Sequence, residues 1–276
     1  MADGGEESGA RPDYSVPPVR RAIAVLRHIA AGNRCRNSSQ AAREIGINRT
    51  TLIRILATLE AERLIEALPE EGGYRLGTGL IALASKALNQ RDLIPTARPV
   101  LARLVRRLNL SAHLGVREGR EIVYLARETP NSHLASTVRE GTHLPAHATT
   151  IGRILLAELS GEELRRLYAD QPLAAYTSKT RTSLEELERQ LADDRARGLS
   201  WSVENFEPGI GSAAAAIYNH RGRAVAAINV TGHASVFQGP TAQQRRIEEE
   251  LKAAAREISA ALGFSGAPAP GGQLQT

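Results

Sequence analysis

The sequence predicts an α+β protein with two folded parts. These are an N-terminal winged helix-turn-helix and, after a linker helix, a larger domain built on a mostly antiparallel sheet. The chain has 276 residues, which is long for one domain and suits two. Apolar residues recur at helical spacing as far as residue 63, and a hairpin pattern follows. Beyond residue 110, strand-like and helix-like runs mix, as in α+β domains.

The N-terminal part is predicted to hold three helices and a hairpin. Residues 1–18, rich in Gly, Glu, Pro and Ser, predict a disordered arm. The helices span residues 19–31, 38–45 and 48–63; Gly32 and Gly46 end the first two, and Ser38 or Ser39 caps the second. Two β-prone segments at 64–68 and 74–77 flank a Gly-rich turn, which is typical of a hairpin. We therefore assign residues 19–77 to the winged helix-turn-helix.

Residues 78–92 predict the linker helix and residues 93–263 the second domain, with a disordered tail at 264–276. Helical spacing in the second domain predicts helices at residues 95–108, 149–159, 161–169, 183–197 and 241–262. β-prone segments predict strands at residues 112–116, 122–126, 134–138, 200–204, 212–219 and 224–231.

Composition excludes several classes of protein. Apolar residues make up 42% and charged residues 24%, the balance of a globular chain rather than a disordered one. No apolar stretch approaches the roughly 20 residues of a membrane helix, and the first residues lack the apolar core of a signal peptide. We therefore expect a cytoplasmic protein without membrane contact. The single cysteine, Cys35, excludes an internal disulfide and a cysteine-clustered zinc site, and a half-buried structural role suits it better than redox sensing.

The positive charge is concentrated near the N-terminus. The whole chain carries a formal net charge of +5. Residues 19–66 contain nine arginines and four glutamates, so this segment alone accounts for the excess. A basic module on a neutral body is the electrostatic footprint of a nucleic-acid-binding protein. A solvated basic face is the alternative that charge alone leaves open.

The segment at residues 38–59 has the pattern of a helix-turn-helix. Two helices that cross steeply need a small residue at their contact and an open turn, which Ala42 and Gly46 supply. In the second helix, residues 52, 55, 56 and 59 are apolar and share one face. The opposite face is polar and cationic at its start, which suits recognition in a major groove. Ordinary helical hairpins share this spacing, but the wing and the basic surplus favour DNA binding.

Double-stranded operator DNA is therefore the predicted partner. Arg49 and Arg54 are candidates for bidentate contacts to guanine, and Asn48 or Thr50 for contacts to adenine or the thymine methyl. The full set of candidate DNA contacts is Ser39, Asn48, Arg49, Thr50, Thr51, Arg54 and Arg75.

Several segments resemble the IclR family of bacterial transcriptional regulators. They are the early helix at 20–30, the helix-turn-helix at 39–59, the wing that ends in Tyr74-Arg75-Leu76-Gly77, the stretch at 141–157, the strand at 224–231 and the closing helix up to residue 263. The resemblance covers nearly all of residues 19–263. It implies a winged helix-turn-helix joined by a helix to an effector-sensing domain with a GAF-like fold, in a homodimer or a dimer of dimers.

A ligand site is predicted in the second domain. Thr149-Thr150-Ile151-Gly152 opens a helix, whose free N–H groups suit a small carboxylate. The resemblance implies that an organic acid binds the amides of Thr150 and Ile151. It also implies the following pocket positions: Leu144, Thr149, Ser202, Ile210, Ser212, Asn229 and Thr231.

This chain departs from the family pattern at three of these positions. Ser202 is neutral where some members carry an acidic residue, and Asn229 and Thr231 replace serines found elsewhere. Asn229 and the pair Gly152-Arg153 are similar to the subgroup that governs aromatic-acid catabolism, which favours an aromatic or larger acid over a two-carbon one. The alternative is that these polar side chains only cap the helix and satisfy buried backbone groups.

Catalytic and metal-binding interpretations are weaker. No Gly-x-Ser-x-Gly elbow and no phosphate-binding Gly-Lys-Ser/Thr loop occurs, so we expect no enzyme and no cofactor. His143 and His147 stand four apart, but Pro145 between them disfavours a helix, so we expect a structural or pocket-lining role and no metal. Trp201 fits a core aromatic better than a ring stacked on a ligand. Two alternatives remain, a constitutive DNA-binding repressor and, with less support, an enzyme acting on the bound acid.

Overall fold

The computed structural model describes residues 15–89, 93–130, 138–169, 171–239 and 241–266. Their contacts divide the chain into two compact units, Met1–Ala87 and Leu88–Thr276. Residues 1–14 of the predicted arm, 90–92 of the predicted linker helix, 134–137 of a predicted strand and 267–276 of the predicted tail lie outside the described residues. Within the described ranges, every helix is too short or too polar to cross a lipid bilayer.

The first unit consists of helices and a two-stranded hairpin, in the predicted order. Their bounds are α1 Pro17–Ala30, α2 Ser38–Ile45, α3 Arg49–Ala61, β1 Ile65–Ala67, β2 Tyr74–Leu76 and α4 Thr78–Asn89. α1 begins inside the predicted disordered arm, which is a correction. The reason is that Pro17 and Pro18 occupy the first turn of the helix, where a missing N–H group costs nothing.

Asparagine side chains start both helices of the helix-turn-helix. The Oδ1 atom of Asn37 accepts from the N–H groups of Ser39 and Gln40 at 3.0 and 3.1 Å, so the expectation that a serine caps α2 is wrong. Asn48 caps α3 in the same way, accepting from Thr51 N–H at 2.7 Å. Between the helices, Gly46 has a φ of 76°, a left-handed conformation that glycine adopts without steric cost.

A small apolar core holds the first three helices together. Leu52, Leu56 and Leu59 are buried along one face of α3, as their spacing predicts, and they belong to one cluster with Val25 and Ile29 of α1. The lone cysteine lies in the same cluster. Burial raises the pKa of its thiol, which fits a structural role.

The wing is the antiparallel pair β1–β2, in which Glu66 lies opposite Arg75. Its turn is tied to the segment before α2, because Tyr74 N–H donates to the Arg34 carbonyl at 2.8 Å. A Cβ on Gly73 would lie 2.0 Å from that same oxygen. Only glycine therefore allows the wing to approach the rest of the unit so closely.

The second unit contains a six-stranded sheet in the order β5-β4-β3-β8-β7-β6, with every described pair antiparallel. This confirms the predicted fold class. The strands are β3 Ser111–Glu118, β4 Glu121–Glu128, β5 His143–Pro145, β6 Ser200–Val203, β7 Ile210–Tyr218 and β8 Ala224–His233. The short β5 was not predicted, since three residues carry no readable alternation.

Helices cover both faces of this sheet. They are α5 Leu93–Leu108, α6 Thr150–Leu156, α7 Gly161–Tyr168, α8 Leu184–Arg197 and α9 Ala242–Ala261, with a 3-10 turn at Ala234–Phe237. One apolar cluster joins α5 and α9 to one face of the sheet, and a second cluster joins α6, α7 and α8 to the other. α6 ends three residues earlier than predicted. Arg195 donates to the carbonyls of Ala157 and Leu159 at 2.6 and 3.1 Å. It thereby supplies hydrogen bonds to backbone carbonyl groups just beyond the end of the helix.

Candidate functional site

The first turns of α3 present the predicted recognition surface. Asn48, Arg49, Thr50 and Arg54 are exposed, and Thr51 is partly buried. Their arrangement follows from the burial of the leucine face of the same helix. Asn48 uses its amide oxygen as the helix cap, so its NH₂ group is the part left for a base edge.

Ser39 and Arg75 lie on the other two elements of the predicted surface. Ser39 is exposed in the first turn of α2. Arg75, on the wing, donates through Nε and Nη2 to Glu66 Oε2 at 3.1 and 2.9 Å. The other oxygen of Glu66 accepts from Thr78 N–H, the first residue of α4, at 3.0 Å. The bond from Thr78, followed by those from Arg75, holds the pKa of Glu66 below its ordinary value.

A cavity of about 160 Å³ lies between the sheet and the start of α6 in the second unit. Eight of the nine predicted ligand residues line it, namely Leu144, Thr149, Thr150, Ser202, Ile210, Ser212, Asn229 and Thr231. The ninth, Ile151, has its side chain fully buried in the neighbouring apolar cluster. The expectation for Ile151 concerned its backbone N–H, which is in the first turn of α6 and therefore has no acceptor within the helix.

Four side chains from different elements form one polar wall of the cavity. Thr150 Oγ1 and Ser212 Oγ are 2.5 Å apart, and Asn229 Nδ2 donates to Ser212 Oγ at 3.3 Å. Asn229 Oδ1 in turn lies 2.9 Å from Nδ1 of His113 on β3. The wall is therefore a continuous hydrogen-bonded chain from α6 across β7 and β8 to β3.

Two of the predicted ligand residues also satisfy backbone groups, as the alternative interpretation holds. Thr149 caps α6, because its Oγ1 accepts from Gly152 N–H at 3.3 Å and donates to the Pro145 carbonyl at 3.0 Å. Thr231 Oγ1 donates to the Gly211 carbonyl at 3.0 Å. Both side chains still face the cavity.

Sequence reasoning missed about half of the lining. The additional residues are Ser111, His113, Tyr124, Val138, Ala148, Phe206, Glu207, Gly232 and His233. Strand alternation could have found Ser111 and His113, because they alternate along β3 with Ala112 and Leu114, which are buried in the core, and so share the opposite face of the strand. Trp201 is partly buried and packs against the core: its Nε1 donates to the Phe237 carbonyl at 3.0 Å, and the two rings pack together.

His113 is a histidine of the cavity wall whose pKa lies well below its ordinary value. Its side chain is buried, with 1% exposure. Burial, aided by the charge of Arg127, lowers the pKa of His113 to about 4, against a smaller raising effect of the hydrogen bond with Asn229. The imidazole is therefore neutral at physiological pH.

The other two histidines singled out by the sequence have separate partners. Nδ1 of His143 lies 3.2 Å from Glu121 Oε2 at the surface. His147 is buried, with Nε2 3.0 Å from the Ala174 carbonyl and its ring against Tyr168. Across the described ranges, no group of three or more His, Cys, Asp or Glu side chains is placed to hold a metal ion.

A buried ion pair fixes α6 against its neighbours. Nε of Arg153 lies 3.0 Å from Oδ2 of Asp194 on α8, with the two side chains 3% and 2% exposed. The same guanidinium donates to Ser200 Oγ and the Trp201 carbonyl of β6 at 2.7 and 2.6 Å. A Cβ on Gly152 would lie 2.2 Å from backbone atoms of Ala146, so α6 also lies tightly against the chain after β5. These contacts set the position of Thr149 and Thr150 at the cavity.

Comparisons with known families agree with the division into two units. Residues 18–69 match the IclR helix-turn-helix domain, and residues 85–260 match the C-terminal domain of the bacterial transcriptional regulator IclR. The chain is 32% identical over 220 residues to the HTH-type transcriptional regulator XynR of Escherichia coli K12, an alignment that covers 80% of this chain and 86% of XynR.

Solved structures share the fold. An IclR transcriptional regulator from Alicyclobacillus acidocaldarius is 28% identical, with a TM-score of 0.78 over 90% of this chain and 99% of that one. An IclR homologue from Microbacterium hydrocarbonoxydans, crystallised with 4-hydroxybenzoate, is 24% identical, with a TM-score of 0.77 over 89% of this chain and 98% of that one. At 24% identity the likeness shows the fold alone.

Proposed function

The chain belongs to the IclR family of bacterial transcriptional regulators, and from this premise we propose that a small organic acid in the cavity of its second unit sets its affinity for operator DNA. The family binds DNA through its helix-turn-helix and regulates transcription, and the chain is not an enzyme. The observation that carries the effector proposal is the cavity itself, whose lining combines the hydrogen-bonded polar wall with apolar side chains.

The size and lining of the cavity favour an aromatic acid. A cavity of about 150 Å³ is known to hold one benzene molecule, and this one measures about 160 Å³. Leu144 and Ile210 supply apolar surface, and the rings of Tyr124 and Phe206 add aromatic faces. Hydroxyl groups on the polar wall suit a carboxylate. These features support one aromatic ring with an acid group.

On the DNA side, we propose that α3 enters the major groove and that the wing contacts the flanking backbone. Arg49 and Arg54 would read guanine, Asn48 and Thr50 would read adenine or thymine, and Ser39, Thr51 and Arg75 would contact phosphates. In a homodimer or a dimer of dimers, two recognition helices would read a near-palindromic operator in the cytoplasm. The acid would favour whichever arrangement of the chain binds it more tightly.

The DNA proposal is tested with fragments from upstream of the gene. Replacing both Arg49 and Arg54 with Ala should abolish specific binding, because both guanine contacts are lost, while the weaker, salt-dependent binding through the phosphate contacts should remain. Arg256→Ala, at an exposed position of α9, is the matched control and should bind normally. Normal binding by the double variant would refute the placement of the recognition helix.

The effector proposal is tested by thermal unfolding of the full chain with benzoate, 4-hydroxybenzoate and short aliphatic acids. A ligand at about 100 times its Kd adds about 2.7 kcal/mol to the free energy of unfolding. The acid that raises the Tm is then titrated into the protein–DNA complex, where it should change the operator affinity. The absence of any shift in Tm would favour a constitutive DNA-binding regulator.

A further inference from the structure

We propose that Nε2 of His113 accepts a hydrogen bond from the effector, so that the cavity selects acids carrying a hydroxyl or another hydrogen-bond donor. For an aromatic acid, this means a hydroxy-substituted ring. The inference rests on the proposed function, because it concerns the ligand of the same cavity.

The hydrogen bonds of the polar wall fix which nitrogen of His113 carries the proton. Asn229 Nδ2 donates to Ser212 Oγ, which leaves Asn229 Oδ1 facing Nδ1 of His113 at 2.9 Å. An amide oxygen only accepts hydrogen bonds, so Nδ1 is the protonated nitrogen. Nε2 of the neutral ring is then a lone-pair acceptor.

That acceptor has no partner within the described residues, although it is shielded from bulk water. The other two histidines at or near the cavity differ in this respect: His147 Nε2 lies 3.0 Å from a carbonyl, and His233 Nδ1 lies 2.8 Å from Ser235 Oγ. A buried acceptor without a donor costs free energy, and native proteins seldom leave one unpaired. Since His113 lines the cavity, a molecule bound there can supply the missing donor.

The ring cannot supply the proton itself. Burial keeps the pKa of His113 at about 4, and the nearby charge of Arg127, its partner on β4, opposes a second positive charge. An ionised carboxylate has no proton to donate and would face the lone pair of Nε2 unfavourably. The acid group of the effector therefore belongs near the hydroxyls of Thr150 and Ser212, and a separate donor belongs near His113.

The test compares benzoate with 3- and 4-hydroxybenzoate by isothermal titration calorimetry on the full chain. We expect at least one hydroxybenzoate to bind tenfold or more tightly than benzoate, because a site built to bond a hydroxyl rejects the analogue that lacks it. In His113→Phe, the affinity for the hydroxybenzoate should become nearly equal to that for benzoate. The benzoate affinity itself should stay within a few-fold of the wild-type value. His220→Phe is the matched control, since this histidine is exposed and does not line the cavity, and the preference of this variant should equal that of the wild type.

The outcomes separate the two proposals. Equal affinities for benzoate and both hydroxybenzoates in the wild type would overturn the role of His113 and leave the effector proposal intact. A preference that survives in His113→Phe would also overturn it. Failure of every acid to bind would overturn the effector proposal and this inference with it. If His113→Phe fails to fold, nitrogen-15 NMR of the wild-type imidazole decides: the Nε2 resonance should move on addition of the hydroxybenzoate, and an unmoved resonance refutes the proposal.

Discussion

Replacing Asp194 with Ala leaves the guanidinium of Arg153 buried without a counter-ion, and we expect this to be among the most destabilising single changes in the second unit. Removing one partner of a buried ion pair costs about 3–5 kcal/mol, because the remaining charge stays out of water. Arg153 keeps two neutral acceptors, Ser200 Oγ and the Trp201 carbonyl. The decrease in the free energy of unfolding should therefore be near the lower end of this range, at about 3 kcal/mol.

This loss translates into a measurable change in Tm. For a domain of 150–250 residues, each kcal/mol lowers the Tm by about 2–4 °C. The second unit, Leu88–Thr276, falls in that range, so Asp194→Ala should lower its Tm by about 6–12 °C in a calorimetric scan. The double change Arg153→Met with Asp194→Leu should recover most of the loss, since apolar residues of similar volume often replace buried pairs at no cost.

A surface ion pair provides the matched control. Arg166 and Glu162 on α7 are 76% and 79% exposed and lie 2.7 Å apart. Glu162→Gln should cost less than about 1 kcal/mol, because water screens the pair. If Asp194→Ala were no more destabilising than Glu162→Gln, the argument from the buried charge would be refuted.

Three further predictions concern other parts of the chain. Gly152→Ala should destabilise the second unit by about 1–3 kcal/mol in urea unfolding, because its Cβ would lie 2.2 Å from backbone atoms of Ala146. Glu66→Gln should strengthen operator binding several-fold and steepen the salt slope by about one, because Arg75 is freed to contact a phosphate. Relative to His113→Phe, the wild type should lose about 2 kcal/mol of stability between pH 7 and pH 5, because the unfolded histidine takes up a proton with a pKa near 6.5 and the folded one only near 4.

Each of these has a control within the chain. Gly161→Ala, where the new Cβ would meet only the flexible end of Arg165, should leave stability unchanged. Glu62→Gln removes the same charge as Glu66→Gln at an exposed position, so an equal gain in both would show a general charge effect. A wild type and a His113→Phe variant with the same pH dependence would show that His113 takes up its proton as readily folded as unfolded.

The sequence predicted the order of helices and strands well, because apolar spacing reports which face of an element is buried. It failed where several residues could do the same task or where a segment is short. Asn37, Ser38 and Ser39 are all good caps, and only the backbone conformation decides that Asn37 is used. The three residues of β5 are identified as a strand only by their pairing with β4.

The candidate site was only partly predictable for a related reason. The resemblance to the IclR family implied the short polar positions on β6, β7 and β8, and they do line the cavity. Strand alternation indicates which face of β3 His113 occupies, but not its role, because a single histidine in a strand fits many roles. Its importance comes from the register that places it opposite Asn229, and register between distant strands cannot be read from one sequence.

The strand order of the second unit has a consequence for how the protein is made. β3 is the first strand of the unit and β8 the last, yet they lie side by side in the middle of the sheet, with Ser111 opposite Thr231. A chain emerging from the ribosome cannot complete that sheet until β8 has left the exit tunnel, and such long-range pairings form slowly. The hairpin of the first unit closes across a short turn. During synthesis, the helix-turn-helix can therefore form before the second unit is made, while the cavity exists only once β8 has been translated.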